Sequence, residues 1–379
     1  MIKGNHMSTK DIRKKPLFHP TFGSRPAQVV GRDDVMEIFI NGMSEPIGSR
    51  ERCLFMIGQR GMGKTALLLE MADQAKNLDM IPALVTAYDG MNDDIIETLQ
   101  RNSTKQLPDA KSIQGFEVGA FGFSFGLDFS KAENERVGFR TKLAMLCDTF
   151  EKFGKGVLLL IDEANNSEDM RQLAVTYQHL VGEEKNIAIV MAGLPQAVSS
   201  VLNDKVLTFL NRANKIDLGP ISISEIRSYY SIAFEESGVK ISDDLTDQAA
   251  EATKGYPYLM QLIGYYILKY TSIEKTVDER ILDLALKASF KDMDRNVFTP
   301  MLQPLSDGDL AFIRAMSEDD GPSKTGDIVK RLQKSNSYIQ PYRARLIDAG
   351  IIESYRKGEV QFTMPRLTQY LREIRGHLE

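Results

Sequence analysis

The stretch GQRGMGKT, residues 58–65, has the spacing Gly58-x-x-x-x-Gly63-Lys64-Thr65. It follows the apolar run RCLFMIG (52–58) and opens into helical periodicity over 64–77. Each part of the pattern has a physical reason. Glycines let main-chain N–H groups turn inward around a phosphate with no Cβ in the way. Lys64 is placed to neutralise β- and γ-phosphate charge, and the Thr65 hydroxyl to complete a Mg2+ shell. The start of the helix adds its partial positive charge at the same spot. The pattern predicts a phosphate cradle formed by Gly58, Gln59, Arg60, Gly61, Met62, Gly63, Lys64, Thr65 and Ala66.

About a hundred residues on comes VLLLIDEANN (157–166). Four aliphatic residues drive a strand into a sheet, and Asp162 emerges at its C-terminal end, where ligands bind in open α/β sheets. Asp162 is placed to hold Mg2+ through water and Glu163 to polarise an attacking water. The two stretches together predict a site for ATP and Mg2+.

Further out, apolar runs of strand length alternate with helical patterns. The strands are expected at 52–58, 82–88, 156–162, 187–193 and 215–219, and the helices at 64–77, 92–102, 138–153, 167–181 and 196–211. Runs that are apolar throughout suit parallel strands buried on both faces. The fold class is therefore α/β, a doubly wound parallel five-stranded sheet. Strand signals vanish from Ser222 to about Pro304, where SISEIRSYYSIAFEES and PYLMQLIGYYILKY carry helical periodicity. The expected organisation is a tail over 1–24, a nucleotide-binding domain over 25–220, a helical lid over 221–304 and a third unit over 305–379. One stretch breaks the rhythm. In GFEVGAFGFSFGLDFS (115–130), Phe121, Phe123, Phe125, Leu127 and Phe129 fall on one strand face, so a β-hairpin is expected as an insertion near 113–130. Its aromatic face would cover the domain core or serve a protein partner or self-association.

The third unit reads as helices over 305–317, 324–333 and 337–350, then a two-stranded ribbon over 351–365 with Lys357-Gly358 in its turn. This is a winged helix-turn-helix order. Pro341 is expected in the first turn of the third helix, where no hydrogen bond is lost, with Gly350 as the cap. Tyr338, Gln340, Tyr342, Arg343 and Arg345 would face a major groove, and Arg356 and Lys357 would sit at the wing tip. From Lys324 to Arg375 there are eleven Lys/Arg against five Asp/Glu, in a chain of net charge −5. That local excess suggests double-stranded DNA as a partner for this unit; the alternative is a protein partner.

Bulk composition narrows the classes. With 379 residues, 42% hydrophobic and 26% charged, the chain can build two or three ordinary domains. No apolar run approaches the ~20 residues of a membrane span, and no secretory signal is evident, so a cytoplasmic protein without a membrane role is expected. Cys53 and Cys147 lie in apolar segments as reduced core residues. The four histidines show no metal-ligand spacing.

On these motifs the chain resembles AAA+ ATPases of the branch that includes origin-recognition-like ATPases and STAND signalling ATPases. The likeness covers about residues 25–375. VVGRDD (29–34) resembles the Gly-Arg element that lines the adenine site, which would place Val30, Gly31 and Arg32 there; Val35 stands where the STAND form carries Glu. Arg212, just before the fifth strand, matches the arginine finger and would act in cis or on a neighbouring subunit. GYPYLMQ (255–261) resembles the Gly-x-Pro element of the lid, bringing Pro257 to the nucleotide. Two departures bear on mechanism. VMAGLP (190–195) lacks the polar sensor-one side chain, and Leu259 or Met260 cannot replace the arginine that senses γ-phosphate in motor-type members. The resemblance thus implies an ATPase that hydrolyses slowly and works as a switch. Its nucleotide state would control the winged helix on DNA or, as in STAND proteins, on a protein partner.

Overall fold

A computed structural model describes residues 17–20, 28–107, 138–271 and 275–376. The segment expected to form the inserted hairpin, 113–130, lies outside the described residues.

Helix α1 (Asp33–Ser44) leads through a short turn into strand β1 (Cys53–Gly58), and the phosphate loop connects β1 to α2 (Lys64–Gln74). The chain continues through β2 (Met80–Thr86), α3 (Met91–Gln106), α4 (Phe139–Glu151), β3 (Gly156–Asp162), α5 (Glu168–Gly182), β4 (Ile187–Gly193), α6 (Pro195–Leu202) and β5 (Asn214–Leu218). The five strands are all parallel, in the order β2-β3-β4-β1-β5. β3 and β4 are buried at every residue, the condition that lets GVLLLID and IAIVMAG run apolar without alternation. The order places β1 between β4 and β5, so the phosphate loop leaves an interior strand and Asp162 emerges two strands away. This is the doubly wound sheet expected from the sequence.

Beyond the sheet come five helices: α7 (Ile223–Glu236), α8 (Asp243–Ala252), α9 (Pro257–Tyr270), α10 (Glu279–Met293) and the short α11 (Thr299–Leu302), the last two joined by a π-turn over Asp294–Phe298. Their starts are chemically marked. Ser222 and Glu225 form a capping box, Ser242 and Asp278 accept from third-position amides, and Pro257 opens α9. Phe18, upstream of the sheet domain, is buried in this lid against Tyr229, Tyr230 and Phe234.

The last unit contains α12 (Asp307–Met316), β6 (Ser323–Lys324), α13 (Thr325–Leu332), α14 (Asn336–Asp348), β7 (Ile352–Ser354), β8 (Glu359–Phe362) and α15 (Leu367–Gly376). Its strands pair antiparallel in the order β6-β8-β7, which makes the winged helix-turn-helix. The core of this unit, including Phe312, Ile328, Ile339, Leu346 and Val360, is continuous with that under the phosphate loop around Leu67, Met62 and Leu259.

Three local expectations are corrected. The helix expected over 196–211 stops at Leu202 and resumes only as a 3-10 turn over Thr208–Arg212. The Asp204 carboxylate accepts from the Val206 N–H at 2.8 Å, a local bond that competes with helix continuation. Pro341 is the sixth residue of α14, not a first-turn residue, because Ser335 caps the helix by accepting from the Tyr338 N–H. The short strand β6 and the C-terminal helix α15 were not expected. The other end of α14 is as expected: Gly350, at φ +66°, follows its last turn, with its N–H on the Ile347 carbonyl and the Ile351 N–H on Leu346.

Candidate nucleotide site

The phosphate loop is shaped from both sides. Gly61 has φ +76° and lies against Tyr256 of the lid, where a Cβ would fall 2.0 Å from the Tyr256 hydroxyl oxygen. That hydroxyl donates to the Arg60 carbonyl at 3.1 Å. Gly61 is therefore required both by its left-handed backbone and by the ring above it. Gly63, at φ +85°, turns the chain into α2.

Lys64 is buried, and its Nζ donates to the carbonyls of Gly58 at 2.8 Å and Gln59 at 3.0 Å. Burial pushes its ammonium pKa down, while the carboxylates of Glu163 and Asp162 pull it back up. The Thr65 hydroxyl donates to Asp162 Oδ2 at 2.6 Å, so the cradle and the acidic strand end meet across the sheet edge. Asp162 Oδ1 accepts from the Glu163 N–H at 2.9 Å, which fixes the carboxylate plane. Glu163 has φ +54°, a conformation that costs a residue with a side chain of order 1–3 kcal/mol. This turn exposes Glu163 and sets it on the cavity wall. A hydroxyl and a carboxylate that face each other are hard oxygen donors and fit Mg2+.

A cavity of about 590 Å³ extends from Gly61–Ala66 and Glu163 toward the lid. Of the Gly-Arg element, Val30 and Arg32 line it, whereas Gly31 sits behind, packed against Ile221 and Glu225. Arg32 Nη2 donates to the Gly219 carbonyl at 2.5 Å and to Met62 at 3.5 Å, tying the loop to the end of β5. Burial pushes the Arg32 pKa down. Pro257 lines the cavity, whereas Gly58, Gln59 and Asp162 do not. Arg212 is exposed at the end of its 3-10 turn and does not line the cavity.

Sequence reasoning missed the rear of the loop. Gln59 Nε2 donates to Glu353 Oε2 of β7 at 2.8 Å, and Arg60 Nε donates to the Ala349 carbonyl at 3.2 Å. Glu353 Oε1 in turn accepts from Gln361 Nε2 at 2.5 Å. Gly350 packs on Leu194, the residue after β4, so the stretch without a polar sensor is covered by the winged helix. Tyr256, His19, Gln261 and Asn296, none of them singled out in the sequence, also border the loop or the cavity.

The groove-facing candidates divide. Arg345 pairs with the buried Asp309 at 3.0 Å, and Arg343 ties α14 to Ser354 of the wing at 2.9 Å. Tyr338, Gln340, Arg356 and Lys357 are exposed. The outward stripe of α14 is Ser337, Pro341, Ala344 and Asp348, without a basic group. Over the whole unit 305–379, twelve Lys/Arg face eleven Asp/Glu, because Glu318, Asp319 and Asp320 precede the segment where the basic excess begins. Arg331 and Arg372 are paired with that acidic cluster.

Among the described residues no helix is long and apolar enough to cross a membrane, and no cluster of metal-ligating side chains of the His/Cys/Asp/Glu type is present.

Residues 47–201 match the family described as an AAA domain, and residues 295–371 match a domain of unknown function (DUF8462). No curated protein matches the chain. Similar solved structures include the Walker-type ATPase of Pyrococcus abyssi (TM-score 0.70, 15% identity, covering 92% of this chain and 97% of that one). The ORC2 protein of Aeropyrum pernix, in its ADPNP-ADP complexes, has a TM-score of 0.62 at 13% identity, covering 97% and 98%. Cdc6p of Pyrobaculum aerophilum has a TM-score of 0.51 at 14% identity, covering 95% and 98%. Residues 47–201 thus match the AAA domain family, and the chain shares its fold with these solved structures.

Proposed function

We propose that the protein binds and slowly hydrolyses ATP, and that its nucleotide state repositions the winged helix. The observation that carries this reading is the double engagement of the loop: Lys64 holds the Gly58 and Gln59 carbonyls, while the Gln59 side chain holds Glu353. A triphosphate in the cradle competes for the Lys64 ammonium, since a charge-assisted bond to phosphate is stronger than one to a neutral carbonyl. Release of those carbonyls alters the turn that carries Gln59 and Arg60, and with it the seat of the winged helix. Thr65 and Asp162 would hold Mg2+, which when bound neutralises developing phosphate charge. Glu163 orients and deprotonates the attacking water from the cavity wall. Leu194 supplies no polar group to couple hydrolysis to movement, which supports slow turnover. Arg212, exposed and off the cavity wall, suits a finger acting on a neighbouring subunit's nucleotide. The test is ATP binding and phosphate release by the wild type and by Lys64→Ala. Unchanged ATP affinity in the variant refutes the site.

A DNA-binding role for the winged helix is favoured by one surface feature. Lys334 lies over Tyr338 at 5.4 Å, Tyr338 and Tyr342 are 5.3 Å apart, and Arg345 lies over Tyr342 at 4.8 Å. This cationic-aromatic ladder, with Arg356 and Lys357 at the wing tip, can meet phosphate and sugar. Fluorescence polarisation with duplex DNA, with and without ATP, tests it: binding should weaken steeply with salt. Salt-insensitive binding or none in either state leaves the winged helix as a protein-directed lever.

A further inference from the structure

The cavity extends beyond the phosphate cradle, and its lid end has a distinct chemistry. Val29, Val30, Ile221 and Met260 make apolar walls there. Among them stands the Gln261 amide, only 8% exposed. Its Oε1 accepts the main-chain N–H of His19 at 2.9 Å. The bond settles the amide's orientation, because a backbone N–H can be received only by the carbonyl oxygen. The Nε2 group, with two N–H donors, is therefore the end left to the cavity. It has no hydrogen-bond partner among the described residues. A donor that faces the cavity in this way is available to a ligand.

The N-terminal segment is what holds this amide in place. The Phe18 ring packs edge-on against Tyr229 and Tyr230 and occupies the space over Gly264, where a Cβ would come 2.3 Å from the ring. The Tyr229 hydroxyl donates to the Leu17 carbonyl at 2.8 Å. His19 and Pro20 then form part of the cavity wall. Three contacts thus fix residues 17–20 on the lid.

We infer that Gln261, oriented by His19, reads the nucleobase by donating to an unprotonated ring nitrogen of a purine held between the apolar walls. The inference rests on the proposed ATP site and extends it from the phosphates to the base. Gln261 is a specificity residue in this scheme, and the 17–20 segment positions it. Loss of the donor weakens nucleoside triphosphates and leaves inorganic tripolyphosphate untouched, because the phosphate cradle is a separate set of groups.

The test uses the full-length chain and equilibrium titration of ATP, inorganic tripolyphosphate, and the 1-deaza, 3-deaza and 7-deaza analogues of ATP. Gln261→Met, neutral and of similar length, should weaken ATP about tenfold, the worth of one buried hydrogen bond, with tripolyphosphate affinity unchanged. One deaza analogue should bind the wild type as weakly as ATP binds Gln261→Met, and show no further loss in that variant, the signature of a shared contact. Gln261→Glu, which keeps the acceptor for His19 but removes the donor, should show the same selective loss. Melting curves identify any variant that fails to fold, and the analogue series on the wild type stands without either substitution. The inference is overturned if no analogue weakens binding, if analogue and substitution losses add, or if ATP and tripolyphosphate fall together. Absence of ATP binding by the wild type overturns the nucleotide reading as well, whereas ATP binding that Gln261→Met leaves intact overturns this inference alone.

Discussion

The phosphate loop has two faces that differ in kind. Its front face, with Lys64, Thr65 and the cavity, is built from residue types dictated by phosphate and Mg2+ chemistry. Its rear face, with the side chains of Gln59 and Arg60, touches Glu353 and Ala349 nearly three hundred residues away in the chain. The front must be the same in any protein that holds a triphosphate this way. The rear is free to vary, and here it is used as a docking point for another domain. Under the proposed function, this difference would let one loop both bind a ligand and report on it.

The front face should give the largest effects. Lys64→Ala removes the charged donor and should lower ATP affinity at least about 100-fold, measured by titration calorimetry. Equal effects on ATP and ADP would show that Lys64 serves the β-phosphate more than the γ-phosphate. Glu163→Gln should keep nucleotide affinity within about twofold and lower phosphate release by roughly 100- to 10,000-fold. A variant that still turns over would move the general base elsewhere on the cavity wall.

The rear face should give smaller effects of another type. Glu353→Gln and Gln59→Ala leave the cradle intact, so ATP affinity should shift by no more than about threefold to tenfold, mainly through the nucleotide dissociation rate in stopped-flow release. The two substitutions should couple by about 0.5 kcal/mol or more in a double-mutant cycle, since they share a hydrogen bond. Strict additivity would break the proposed link between the faces. Smallest of all, Tyr256→Phe deletes the hydroxyl that holds the Arg60 carbonyl. It should cost about 1 kcal/mol of stability in thermal or denaturant unfolding without altering the fold.

The same contrast decides what could be read from the sequence. GQRGMGKT and IDEA were legible because their glycines, Lys64, Thr65, Asp162 and Glu163 form patterns that phosphate and Mg2+ chemistry call for, and the strand and helix around them answer to simple periodicity. The five strands, the helical lid and the winged helix were legible for the second reason. The rear face was not, since Gln59 with Glu353 is an ordinary pair of polar side chains until the fold brings them together. Pro341 misled because a proline suggests a helix start, whereas the Ser335 cap starts the helix at Asn336 and leaves Pro341 in its second turn. The basic surplus after Lys324 was legible, but the ion pairs of its arginines were not. It ends at a boundary drawn through the domain, and the acidic run Glu318–Asp320 folds back to pair with Arg331 and Arg372. The Phe18 anchor was illegible because a short aromatic segment far from the lid in sequence carries no periodicity of its own.

Hydrogen exchange at Ala349–Ser354 tests the central claim, that nucleotide in the front face changes the docking of the winged helix behind it. These amides should change protection when ATP is added to the wild type, and should not respond in Lys64→Ala. Protection at 349–354 that is the same with and without ATP, under conditions where ATP is bound, would contradict the account.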